Sequence, residues 1–158
     1  HAKGMLVALN PSPIDDALMN SDLSKVTYFI MNEVEAARIS GKADVTEAFD
    51  VLRAKYPQSK IVITMGGDGS MFFDGEKIWR HGIYKVKAVD TTAAGDSFIG
   101  GLCAKICDGW TMDDAVEYAS ATSAIAVSRP GAAASIPVAE EVREFMANNK
   151  ISKKASLN

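Results

Sequence analysis

Three short apolar runs frame this chain: residues 5–9 (MLVAL), 27–31 (TYFIM) and 60–64 (KIVIT). Asn10-Pro11-Ser12-Pro13 stops the first, because proline lacks a donor and biases its predecessor away from helix. Asn32 follows the second and can cap a helix through Glu33, Glu35, Ala36, Ala37 and Ile39, which Gly41 ends. Gly66, Gly67 and Gly69 make a turn after the third. Runs of this length between turn signals suit strands buried on both faces. Between the second and third lies a further helical pattern, with Ala48, Val51, Leu52 and Tyr56 on one face. Strands that alternate with helices require an α/β fold with a mostly parallel sheet and helices on both faces.

Beyond residue 64 the period changes. Residues 70–73 and 77–80 flank Asp74-Gly75, which predicts a β-hairpin. Residues 84–89 read as one more strand, and 90–96 as a small-residue loop. Phe98, Leu102 and Ile106 predict a helix that ends at Gly109. Thr111 with Asp114 marks another helix start, and that helix runs to Val127 before Arg129-Pro130-Gly131 breaks it. Pro137 opens a last helix through Val142, Phe145 and Met146. Residues 1–150 are expected to form one domain fragment, with 151–158 a polar, frayed tail.

Composition narrows the function. The 158 residues carry a formal charge of −3, which gives no electrostatic footprint for nucleic acid or anionic membrane. No apolar run approaches the ~20 residues of a membrane span and no signal-peptide pattern opens the chain, so a cytoplasmic protein is expected. Cys103 and Cys107 share a helix face and are expected to be buried small residues, with no disulfide framework. Two histidines, His1 and His81, are too few for a His-based metal centre. The sequence contains no GxxxxGK[ST], GxGxxG, HExxH or GxSxG. Trp79 and Trp110 are expected to pack.

The 90–101 segment carries the most chemistry. Ala93-Ala94-Gly95 has almost no side chain, so a ligand can approach the backbone. A helix begins there, and its first N–H groups lack partners. Such a terminus suits a phosphate or a developing oxyanion. Asp96 at the same mouth can take a proton from an attacking hydroxyl. These are the parts that phosphoryl transfer needs. An N-capping aspartate after an ordinary loop fits the same residues.

Asp90-Thr-Thr-Ala-Ala-Gly-Asp96-Ser-Phe98 resembles the D-T-x-[GA]-A-G-D-x-F signature of the ribokinase (phosphofructokinase B type) family of carbohydrate kinases. Thr64-Met-Gly-Gly-Asp-Gly69 resembles that family's T-x-G-x-x-G nucleotide turn, and Asn32-Glu-Val-Glu35 its N-x-x-E motif. Ala126, Arg129, Gly131 and Ser135 keep the spacing of its monovalent-cation loop. The resemblance implies a ribokinase-like three-layer sandwich and ATP-dependent transfer of a phosphoryl group to a sugar hydroxyl.

The resemblance further implies that Asp96 is the general base. The N–H groups of Ala94, Gly95 and Asp96, after Ala93, would form the anion hole. Glu35, with Asn32 beside it, would hold Mg²⁺ through water and the triphosphate. Thr64, Gly66 and Gly69 would contact ATP. Asp90, Thr92, Ala126, Arg129, Gly131 and Ser135 would surround K⁺. Ser120 stands where ribokinases often carry His or Asn near the nucleotide.

Glu33 and Glu35 could equally be first-turn charges favoured by the helix dipole, and the three glycines a plain hairpin turn. The match covers only the C-terminal half of the family's length. The N-terminal strands, lid and sugar-contacting residues are therefore expected to be missing, with a homo-oligomer or pairing with the absent half in their place. Ribose is the favoured substrate. Fructose, 2-keto-3-deoxygluconate or a nucleoside, or a non-catalytic nucleotide-binding module, are the alternatives.

Overall fold

Each apolar run contributes a strand, and their order in the sheet explains how differently they are buried. The computed structural model describes residues 3–152 and 154–157. His1 lies outside them, as do Lys153 and Asn158 of the tail. The chain divides into two compact units, His1–Arg80 with Ser156–Asn158, and His81–Ala155.

In the first unit β1 (Ala8–Leu9), β2 (Tyr28–Asn32) and β3 (Lys60–Thr64) are parallel, and Asn32 lies opposite Thr64. β4 (Ser70–Phe73) runs antiparallel to β3, and β5 (Ile78–His81) and β6 (Lys154–Leu157) follow in the strand order. The sheet is mixed, parallel from β1 to β3 and antiparallel between β3 and β4. α1 (Asp16–Met19), α2 (Glu33–Ser40) and α3 (Val45–Lys55) connect the parallel strands. Phe29, Phe49, Leu52, Ile61 and Ile63 are buried together.

β2 and β3 are buried on both faces, as their runs predict. The first run is not. Met5 and Leu6 are 61% and 59% exposed, and only Ala8 and Leu9 join the ladder. β1 stands at the edge of the order, with a neighbour on one side only.

Local signals close each element. The Asn32 side chain accepts from the Glu35 N–H, and Gly41 ends α2 in the left-handed region at φ 73°. Asp44 Oδ1 accepts from the N–H groups of Thr46 and Glu47, both at 2.9 Å, to start α3. In the hairpin, Asp74 accepts from the Glu76 and Lys77 amides and from the Trp79 indole at 2.7 Å. Burial raises that carboxyl, but the hydrogen bonds outweigh it and hold the pKa below the usual range. Trp79 stacks on Phe72 with ring centroids 6.4 Å apart.

The second unit is helical: α4 (Ala94–Cys107), α5 (Met112–Val127) and α6 (Ala139–Asn148). Residues 84–89 join no ladder among the described residues, which corrects the expected strand. Tyr84 and Val86 turn into an apolar cluster with Tyr118, Ile125 and Phe145 instead. The Val89 and Asp90 amides both go to Val127 O, at 2.8 and 3.2 Å. Tyr84 donates to Glu117 at 3.1 Å, and burial followed by the Glu117 charge pushes its hydroxyl pKa up. His81, fully buried, meets Asp113 at 2.7 Å.

Two further expectations are corrected. Lys154–Leu157 is a strand and not a frayed end. Cys103 is half-buried and Cys107 exposed, because the buried face of α4 runs through Ser97, Phe98, Gly101 and Leu102. Burial, and then the neighbouring Cys107, push the Cys103 thiol pKa up. Trp110 lies edge-on to Tyr118 yet is 42% exposed. No helix among the described residues is long and apolar enough to cross a membrane.

α4 and α5 approach closely at Gly101. A Cβ there would lie 2.8 Å from Thr122 Oγ1 and 3.3 Å from Ala119 Cα, whereas one at Gly100 would meet nothing within 4 Å. Gly101→Ala is therefore expected to destabilise by about 1–3 kcal/mol through overpacking. Gly100→Ala should stabilise by up to about 1 kcal/mol through helix propensity. Urea unfolding of both variants checks this; equal shifts would reject the close approach.

Candidate active site

The carboxyl ends of parallel strands gather polar residues in the first unit. Asn10 follows β1, Asn32 ends β2 and Thr64 ends β3. Asn32 and Glu35 form a reciprocal cap: Glu35 N–H donates to Asn32 Oδ1, and Asn32 N–H to Glu35 Oε2, both at 2.9 Å. Asn10 Nδ2 donates to Ile30 O at 2.9 Å and reaches Glu35 Oε2 at 3.4 Å. Glu35 Oε1 has no hydrogen-bond partner among the described residues. The first-turn-charge reading of Glu35 is thus correct for one oxygen and leaves the other open.

The glycine turn beside it is a single 3₁₀ turn, Gly66–Asp68. Gly66 (φ 51°) and Gly69 (φ 89°, ψ −132°) take conformations that cost a side chain. The Met65 N–H donates to Gly69 O at 2.8 Å, which closes the turn. Thr64 Oγ1 reaches Met31 O at 3.4 Å. Next to the turn opens a polar cavity of about 340 Å³, lined by Glu33, Asp44, Thr46, Met65, Asp68 and Arg80 among others. Sequence reading did not find it, since it is assembled from segments far apart in the chain. Asn10 was missed for the same reason: it touches residues 20 and 25 positions away.

In the second unit the 90–96 loop turns sharply. Among the described residues Ala93 is the one non-glycine with positive φ, at 61°. The Ala94 N–H donates to Thr91 O at 3.2 Å and the Ser97 N–H to Ala93 O at 2.9 Å. The Gly95 and Asp96 N–H groups have no acceptor among the described residues. The free donors at the start of α4 are therefore two, not the three expected. Gly95 and the Asp96 side chain are exposed beside them.

Asp90 ties two loops together. Its Oδ1 accepts from Thr92 N–H at 2.9 Å and its Oδ2 from Gly131 N–H at 3.0 Å. The bonds from Thr92, then that from Gly131, hold its carboxyl below the usual range. The Arg129 guanidinium grips Glu141 of α6 at 2.7 and 3.4 Å, and Glu141 also accepts from Val138 N–H at 2.9 Å. Arg129 accordingly holds the Glu141 pKa down. Ser135 is fully buried and donates to Ala132 O at 2.7 Å. Ala126 is buried on α5 and Ser120 half-buried on it. Thr92, Ala126, Arg129, Gly131 and Ser135 thus share the second unit with Asp90; Asn32, Glu35, Thr64, Gly66 and Gly69 share the first.

The family model for pfkB family carbohydrate kinases matches residues 1–139. The chain is 38% identical over 151 residues to a ribokinase of Schizosaccharomyces pombe, covering 90% of this chain and 47% of that one. It is 36% identical over 148 residues to a ribokinase of Staphylococcus aureus, covering 90% and 48%. The chain spans about half the length of the curated relatives it matches. The crystal structure of a ribokinase from Thermotoga maritima superposes with a TM-score of 0.78 at 30% identity, over 93% of this chain and 51% of that one.

The Asp90 bonds have a pH signature. Its folded pKa is depressed, so the order they impose is present above the unfolded value and is lost as pH falls through the folded one. Amide protection of Gly131 and Thr92 should hold above the ordinary Asp pKa of ~3.9 and be lost only as pH is lowered below it. Hydrogen exchange, corrected for intrinsic rates, measures it; unchanged protection from above that value to well below it would dismiss the tie.

Proposed function

This chain belongs to the pfkB family of carbohydrate kinases, and on that premise we propose that it carries the nucleotide-binding and catalytic part of an ATP-dependent sugar kinase, with ribose the favoured acceptor. The observation that carries the reading is the start of α4, where the unpaired Gly95 and Asp96 amides adjoin the Asp96 carboxylate. A helix N-terminus with free donors stabilises the charge of a transferring phosphoryl group. The neighbouring carboxylate accepts the proton of the attacking hydroxyl. Support for ribose comes from the ribokinase relatives; fructose, 2-keto-3-deoxygluconate or a nucleoside remain the alternative acceptors.

Thr64, Gly66 and Gly69 are assigned to ATP, because the turn exposes backbone with no side chain in the way. Asn32 and Ser120 complete that assignment on family resemblance. The Mg²⁺ assignment to Glu35 fits its open Oε1 oxygen. Among the described residues no three His, Cys, Asp or Glu side chains come together, so a divalent ion would take its other ligands from phosphate and water. When bound, Mg²⁺ neutralises triphosphate charge.

K⁺ suits the second unit's oxygen-only donor set: the carbonyls of Thr92, Ala126, Arg129 and Gly131, with Asp90 and the Ser135 hydroxyl. The Ser135 proton is committed to Ala132 O, which leaves the oxygen lone pairs for a cation. We further assign a cytoplasmic location and self-association through the β1 edge, where Met5 and Leu6 are exposed; light scattering tests the latter.

A coupled ADP-release assay of the full-length kinase over a panel of sugars tests the function; this chain alone, without the sugar-contacting half, is expected to phosphorylate none. In the full-length kinase Asp96→Asn is expected to lower kcat by about 10²–10⁴-fold with ATP affinity little changed, the usual size of a lost general base. Near wild-type turnover in that variant would sink the assignment. A full-length protein that binds ATP yet phosphorylates nothing would favour the non-catalytic nucleotide-binding module.

K⁺ should activate turnover well above Na⁺ or Li⁺ at matched ionic strength, since it adds positive charge near the amides without touching substrate. Equal rates in the three salts would reject the cation site.

A further inference from the structure

We propose that Ser123 is a positioning residue for the phosphoryl-binding amide of Gly95, an inference that rests on the kinase reading above. Ser123 lies on α5, and its Oγ donates to the carbonyl of Ala94 at 3.0 Å in a partly buried contact. A helical serine or threonine commonly bonds the carbonyl one turn back on its own helix. Thr122 does so, donating to Tyr118 O at 2.9 Å. Ser123 instead reaches across to the first residue of α4.

The carbonyl it holds is not an arbitrary one. Ala94 C=O and Gly95 N–H belong to a single planar peptide unit. A donor on the carbonyl polarises that unit and makes its N–H a stronger donor, and within a partly buried setting this cooperativity is enhanced. The bond also fixes the rotation of the plane. That matters here because Ala93, the residue before, is left-handed at φ 61°. A side-chain-bearing residue keeps such a conformation only where its surroundings impose it. Ser123 therefore sets both the direction and the strength of one of the two free amides, while touching neither nucleotide nor sugar.

The test combines glycine-selective ¹⁵N spectra with kinetics on the full-length kinase as wild type, Ser123→Ala and Ser123→Thr. The Gly95 amide proton should move upfield in Ser123→Ala and return in Ser123→Thr. In the same variants kcat should fall about tenfold and then recover. That is less than the 10²–10³-fold cost of removing a whole oxyanion donor, because the amide remains but is weakened. KM values for ATP and sugar should stay within about twofold.

A purely structural role would lower the melting temperature and leave the Gly95 resonance in place; that result overturns the inference. So does a wild-type kcat in Ser123→Ala. Absence of any phosphoryl transfer by the full-length wild-type protein overturns the kinase reading and this inference with it. Wild-type turnover unaltered by the substitution overturns this inference alone.

Discussion

The left-handed turn at Ala93 is the constraint on which the second unit depends. It leads into α4, where Ser97 N–H finds Ala93 O while Gly95 and Asp96 N–H have no acceptor among the described residues. An L-residue in this region costs about 1–2 kcal/mol. Glycine would adopt the same φ without that cost, but a glycine loop loses more entropy on folding. Alanine leaves the loop nearly free of side chain and stiffer than glycine would. The next residue is held on both sides of its backbone: the Ala94 N–H donates to the Thr91 carbonyl and the Ala94 carbonyl accepts from Ser123 of α5.

The first unit achieves its polar corner by a different route. There the parallel strands β1 to β3 present their carboxyl ends together, and the polar residues sit where each ladder stops. Structural and functional readings do not compete at this corner. Glu35 needs only one oxygen to cap α2, and Asn10 helps hold that oxygen while bridging to Ile30. The cap fixes the carboxylate's direction, as the Mg²⁺ role proposed for Glu35 would require.

Legibility in the sequence followed the range of the interactions. β2, β3, the hairpin and the helix starts at Asn32 and Thr111 were readable because turn residues and caps act within four positions. Residues 84–89 have a strand's composition, yet a ladder needs a partner and their apolar side chains found α5 and α6 instead. The exposure of residues 5 and 6 depends on which strands exist beside β1, which no local pattern encodes. The 90–96 loop was legible as chemistry through its motif. The reduction from three donors to two was not, because it turns on one carbonyl, that of Thr91, folding back. Asn10 and Ser123 act across 20 or more positions and carry no local signature.

The ties around Asp90 bear on what a monovalent cation could do there. Both carboxylate oxygens already bind amides, one in their own loop and one at Gly131. Arg129 and Glu141 pin the next stretch to α6 independently. Hydrogen bonds thus join the two loops. The proposed cation would add positive charge, felt by the Asp90 carboxylate and by the amides at the start of α4. Charge added to a preformed frame changes how strongly an anion is held more than it changes the fold. On that physics the cation proposed for this unit would act on rate more than on the fold.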